Sequence, residues 1–171
     1  DVGEESVFLR WDESNVVSPR PGQFDKETNA PLHIEMMNLA REEADMSSDW
    51  WRRVGVVIVR NGEVLVKTHN MAFPTEHSPY IDGNPRDHIT AGTLGFLSGT
   101  VHAEQAAIAK ARGISLVGAD LYLNSYPCHA CASAMGLAGI SRCFFSGGNA
   151  YLNVEETLNS FSIETIFVHS M

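Results

Sequence analysis

One pair of short motifs, His102-Ala103-Glu104 and Pro127-Cys128-His129-Ala130-Cys131, restricts the folds open to this chain more than any other feature. Thiolate sulfur and imidazole nitrogen suit zinc, and a catalytic zinc takes three protein ligands and keeps one open position. His102, Cys128 and Cys131 supply three such donors, with the Glu104 carboxylate beside the open position. A lone CxxC is shared by redox dithiols and structural zinc sites. The compound pattern, with a proline directly before the first cysteine, is far more selective. The fold must therefore carry two distant segments to one point.

Local chemistry says how. Cys128 and Cys131 are three residues apart, so on a helix they share a face and both sulfurs can reach one ion. Pro127 is tolerated just ahead of that helix, where a missing N–H costs nothing. His102 and Glu104 open a second helix, and two positive helix ends then favour thiolates and a bound hydroxide. Zinc lowers the pKa of its water toward ~7. Glu104, two residues from a ligand and at a different azimuth, is the candidate proton shuttle. A closed four-ligand site would need another donor. Cys143 is the third cysteine, but its apolar strand context makes it a buried spectator, and His129 turns away from both cysteines.

The 171 residues fit one domain, and 44% hydrophobic content is that of an ordinary globular protein. A net charge of −9 argues against broad binding to a phosphate backbone, making nucleic acid a disfavoured partner. Three cysteines, two of them in the motif, leave no disulfide framework, which predicts a reducing, cytoplasmic setting. The first ten residues lack a signal-peptide pattern, and no apolar run is long enough to span a membrane.

Along the chain, residues 1–29 read as an extended N-terminal arm and 30–171 as a single catalytic domain. The spacing predicts a helix from Pro31 to Ala44 and a β-rich run from Trp50 to Val59, which takes in the Trp50-Trp51-Arg52-Arg53 cluster. Asn61-Gly62 marks a hairpin turn, and Val64–His69 is the return strand. Residues 73–100 form a loop of functional length. Beyond it, helices are expected at 102–112, 128–138 and 153–160, with strands at 119–124, 142–146 and 163–168. Alternating elements after an opening hairpin imply an α/β fold, a mixed sheet covered by helices on both faces.

The motifs G-V-V-I-V-R-N-G from Gly55, T-H-N ending at Asn70, V-H-A-E-Q-A-A-I and L-Y-L-N-S-Y-P-C-H-A-C resemble the cytidine deaminase superfamily, in its deoxycytidylate (dCMP) deaminase-like branch. The resemblance implies a three-layer α-β-α sandwich around a five-stranded mixed sheet and one catalytic zinc per subunit. It also implies hydrolytic deamination of a free cytosine nucleotide, dCMP to dUMP. A homo-oligomer, dimer or hexamer, goes with it, and dCTP and dTTP regulate some members. Carried over by position, His102, Cys128 and Cys131 are zinc ligands and Glu104 the shuttle. Asn70 matches a sugar contact, Ala103 offers its backbone to the base, Ser125 and Tyr126 line the pocket, and Tyr151 matches an aromatic near the substrate.

Specificity is expected from the 73–100 loop. A phosphate monoester needs charge-assisted donors, so Arg86, His77 and His88 are its candidate contacts. The same chemistry on a nucleoside, on guanine or on a nucleic-acid base is the alternative. A non-catalytic zinc-stabilised binding domain is a third reading, opposed by the intact Glu104.

Overall fold

The run from Gly55 to Arg60 is apolar on both sides of its pleat, so it needs cover on both faces, and it receives it. The computed structural model describes residues 23–88, 99–148 and 151–169. In it, β2 (Gly55–Arg60) pairs antiparallel with β3 (Glu63–His69) through a turn in which Asn61 and Gly62 take φ of 53° and 81°. Two positive φ values in succession are what a two-residue hairpin loop requires, and Asn-Gly tolerates them. The other edge of β2 pairs antiparallel with β6 (Asp120–Leu123). β7 (Arg142–Phe145) and β8 (Glu164–Val168) then add in parallel, each after a crossover helix.

Side chains alternate between two cores. Val56, Ile58, Leu121, Leu123 and Phe145 face the side covered by α3 (Ala103–Lys110), α4 (His129–Ala138) and α5 (Val154–Ser160). Val57, Val59, Tyr122, Phe144 and Ile166 face α1 (Pro31–Asp45) on the opposite side. This is the expected three-layer α-β-α sandwich, with one correction: the sheet has six strands, in the order β1-β8-β7-β6-β2-β3. The extra strand, β1 (Lys26–Thr28), pairs parallel with β8 at the sheet edge. Its three residues have no apolar alternation to betray it. It is held by Asp25, whose Oδ2 accepts from the Thr165 N–H (2.8 Å) and hydroxyl (2.9 Å), and by Phe24 stacked on Phe167. Residues 1–22 of the predicted arm lie outside the described residues.

A second correction concerns Trp50–Val54, which is not strand. Asp49 Oδ1 accepts from the Trp51 N–H at 2.9 Å. The Asn70 amide takes the Arg52 carbonyl (2.8 Å) and the Val54 N–H (2.9 Å). Side chains thus occupy the backbone groups that a longer strand would have paired, and the chain bends away before Gly55.

Between β3 and α3, the predicted loop carries a short helix α2 (Ser78–Asp82) and a 3-10 turn, Pro85–His88. Its ends are joined by β4 (Met71–Ala72) and β5 (Thr100–Val101), paired antiparallel. That clasp delivers the chain directly into His102; residues 89–98 lie outside the described residues.

Gly55 is a point of close approach between α1 and the sheet. A Cβ there would overlap the Ala40 carbonyl oxygen and sit 2.5 Å from the Ala44 nitrogen, both backbone atoms of α1. Backbone cannot swing aside as a side chain can, so Gly55→Ala should cost about 3 kcal/mol, the upper end of overpacking penalties. Equilibrium urea unfolding measures this, and a loss below about 1 kcal/mol would contradict the packing described.

Candidate active site

Both motif halves sit at helix starts. His102 is the N-cap of α3 and Cys128 the N-cap of α4, each with extended backbone, so each side chain leaves the chain just before the helix begins. Cys131 follows in the first turn of α4 and is fully buried. His102 Nδ1 lies 3.5 Å from Cys128 Sγ and 3.4 Å from Cys131 Sγ, and the three donor atoms are all within 4.8 Å of one another. A tetrahedral zinc with bonds of about 2.3 Å to sulfur and 2.05 Å to nitrogen separates N from S by about 3.5 Å. The donor set therefore fits a zinc ion without rearrangement. Among the described residues it is the one such group of three.

The two thiols differ in their hold on a proton. A hydrogen bond from Cys131 holds Cys128 well below the usual thiol range, helped by His102. The same bond, with burial and the nearby Glu104, pushes the Cys131 thiol up. Cys143, fully buried in β7, is also raised by burial and stays a neutral thiol. Glu104 is only 3% exposed. Burial raises its carboxyl above the ordinary value, opposed by a backbone hydrogen bond and His102. A carboxyl whose hold on a proton is strengthened by burial in a closed site suits proton transfer.

A cleft opens onto these groups. Asn70, Ala103, Glu104, Ser125, Tyr126 and Tyr151 all line it. Asn70 is buried and its amide is engaged with the 52–54 backbone, so it shapes the wall as well as lining it. Tyr126 commits its hydroxyl to the Gln23 carbonyl (3.3 Å) and sets its ring edge against Phe145.

Three lining residues were not foreseen: Arg52, Val54 and Thr100. Arg52 is the sole arginine or lysine among the described lining residues, and its Nη2 donates to Ser125 Oγ at 2.5 Å. The signal was present in Trp50-Trp51-Arg52-Arg53 but hidden by reading that run as strand. His77 is exposed, at the N-cap of α2, and is not among the lining residues. Arg86 and His88 fall on the 3-10 turn, and their side chains lie outside the described residues.

Residues 31–147 match the family model described as the cytidine and deoxycytidylate deaminase zinc-binding region. No curated protein matches the sequence. Among solved structures, the dCMP deaminase of cyanophage S-TIM5 in complex with dCMP and dUMP superposes with a TM-score of 0.64 at 21% identity, covering 82% of this chain and 98% of that one. Its apo form gives 0.62 at 20% identity, over 82% and 99%. The diaminohydroxyphosphoribosylaminopyrimidine deaminase/reductase of Thermotoga maritima gives 0.58 at 22%, over 80% of this chain and 36% of that one. At these identities the likeness is one of fold.

Proposed function

The chain belongs to the cytidine and deoxycytidylate deaminase family, and from that premise we propose that it hydrolyses the exocyclic amine of a free cytosine nucleotide, dCMP to dUMP. The observation that carries the choice of a nucleotide is Arg52, a guanidinium in the wall of a cleft that ends on His102, Cys128 and Glu104. Guanidinium is the side chain best matched to a phosphate monoester. The phage enzyme with this fold was solved with dCMP and dUMP.

His102, Cys128 and Cys131 would hold the zinc, which when bound would supply an acidified water as nucleophile. Glu104 would accept a proton from the attacking water and deliver it to N3 of the ring as C4 becomes tetrahedral. A second proton passes through the same carboxylate to the amine, the C4–N bond breaks, and ammonia leaves as the C4 carbonyl forms. Arg52 and Asn70 orient the sugar phosphate, and Tyr151 and Ala103 flank the base. In this reading residues 30–171 are the catalytic domain of a homo-oligomer working in a reducing compartment, with all three cysteines as free thiols. Light scattering decides between monomer, dimer and hexamer. No helix among the described residues is long and apolar enough to cross a membrane.

Ammonia release measured across dCMP, CMP, deoxycytidine, cytidine, dCTP, guanine and single-stranded DNA tests the substrate, with the highest kcat/KM expected for dCMP. Arg52→Gln should raise KM for dCMP about 10–100-fold, the worth of one charge-assisted hydrogen bond, and leave deoxycytidine turnover unchanged. An equal loss on both substrates would sink the phosphate role. A polynucleotide substrate has one observation in its favour: Trp50, two positions before Arg52, and Tyr80, 40% and 65% exposed, form a T-shaped pair at 5.2 Å. Exposed aromatic pairs can stack bases, and the DNA arm of the assay decides.

A further inference from the structure

His129 sits between the two cysteines of the zinc motif, yet its ring leaves the metal centre entirely. Nε2 lies 2.6 Å from the Leu152 carbonyl and Nδ1 lies 3.0 Å from Thr157 Oγ1. A carbonyl only accepts, so Nε2 carries the proton and donates it, and Nδ1 accepts from the Thr157 hydroxyl. Both nitrogens of a neutral imidazole are thereby used, on one segment: Leu152 precedes α5 and Thr157 lies within it. Tyr151, next to Leu152, lines the cleft.

Tyr151 also packs against the core and Val154 is fully buried, so the imidazole acts on the turn between them. Leu152 is exposed and Asn153, in the left-handed region at φ 57°, caps α5 without a side-chain hydrogen bond. α5 itself is anchored through Val154 and Leu158, both buried, beyond the turn that carries Tyr151. The imidazole thus ties the aromatic wall of the cleft to the first residue of the helix that bears both cysteines.

We propose that His129 is a positioning residue that fixes Tyr151 against the substrate by clamping the 151–157 segment onto α4, taking no part in metal binding. The imidazole, together with the core packing of Tyr151, sets the distance from the zinc centre to the aromatic wall, and so the width available to the base. The consequence for turnover rests on the deaminase reading above; the clamp itself does not.

Two measurements on the zinc-loaded full chain test it. In hydrogen exchange followed by mass spectrometry, His129→Leu should speed exchange of the peptide spanning residues 151–157 about tenfold or more, with α3 and β6 unchanged and zinc still at one equivalent. In kinetics with dCMP, the same variant should raise KM about tenfold while kcat moves less than about threefold, as expected when ground-state placement is lost and the chemistry is kept. His129→Gln still offers one donor and one acceptor and should recover most of the KM. In a Tyr151→Ala background, His129→Leu should add less than about twofold, because it acts through that ring. Unchanged exchange, loss of zinc, or a KM effect fully additive with Tyr151→Ala overturns the proposal. If the wild-type protein turned over none of the cytosine substrates, the functional reading would fail while the exchange result still decided the clamp.

Discussion

Glu104→Gln should bind one equivalent of zinc and lose turnover of dCMP by about 10²–10⁴-fold, the usual worth of a positioned general acid–base. The amide has the volume and hydrogen-bonding reach of the carboxyl, so the cleft keeps its shape and His102, Cys128 and Cys131 are untouched. What it cannot do is accept a proton from water and pass it to N3. Metal content by atomic absorption beside steady-state ammonia release separates the two outcomes, and a variant within about threefold of wild type would refute the shuttle. Stability should move the other way. Burial raises the Glu104 carboxyl above its ordinary 4.5, so the folded state disfavours the ionised form. For an acid raised on folding, the folded state loses stability as pH rises above the unfolded value. The zinc-free Gln variant should therefore melt above zinc-free wild type at pH 7, with the gap closing as pH falls toward about 4.5. Function at this position costs fold stability.

How far the sequence revealed the molecule depends on whether the determining interactions were local. The metal centre was legible because its chemistry imposes residue types at short spacing: the Cys128–Cys131 interval, Pro127 ahead of them, and Glu104 two residues after His102 each have a reason within a few residues. The hairpin at Asn61-Gly62 was legible for the same reason, since its turn needs positive φ at both positions. The rim was not. Arg52 reaches the cleft because Asn70, 18 positions away, captures its carbonyl and Asp49 captures the amide of Trp51. No periodicity encodes side chains that divert backbone from a sheet, and the apolar look of Trp50–Val59 pointed to strand. The sixth strand was equally non-local, because β1 acquires its identity from Asp25 bonded to Thr165, 140 positions away. His129 could be read as a non-ligand, but its partners on the segment before and within α5 could not be seen.

Cys131→Ser should abolish zinc retention under chelator challenge and with it all measurable turnover, a loss of at least the size seen for Glu104→Gln. A serine hydroxyl is a poor zinc donor near neutral pH, whereas a thiolate matches the ion's softness. Position 131 has no exposed surface, so no solvent ligand can enter in its place without opening the contact between α3 and α4. Two donors, His102 and Cys128, would be left where three are needed. The hydrogen bond to Cys128, with burial, favours the proton on the Cys131 thiol. Zinc must displace it, so affinity should weaken as pH falls, with proton release measurable by calorimetry in buffers of different ionisation enthalpy. Zinc binds only the folded site, so its loss should also lower the melting temperature. The lost stabilisation approaches about 4 kcal/mol where free metal stood a thousandfold above its Kd. Chelator-treated wild type should melt with the variant, since each lacks the same ion. If Cys131→Ser instead kept a full equivalent of zinc through the challenge, the ligand set would be wrong, and the donor completing it would have to be sought elsewhere in the chain.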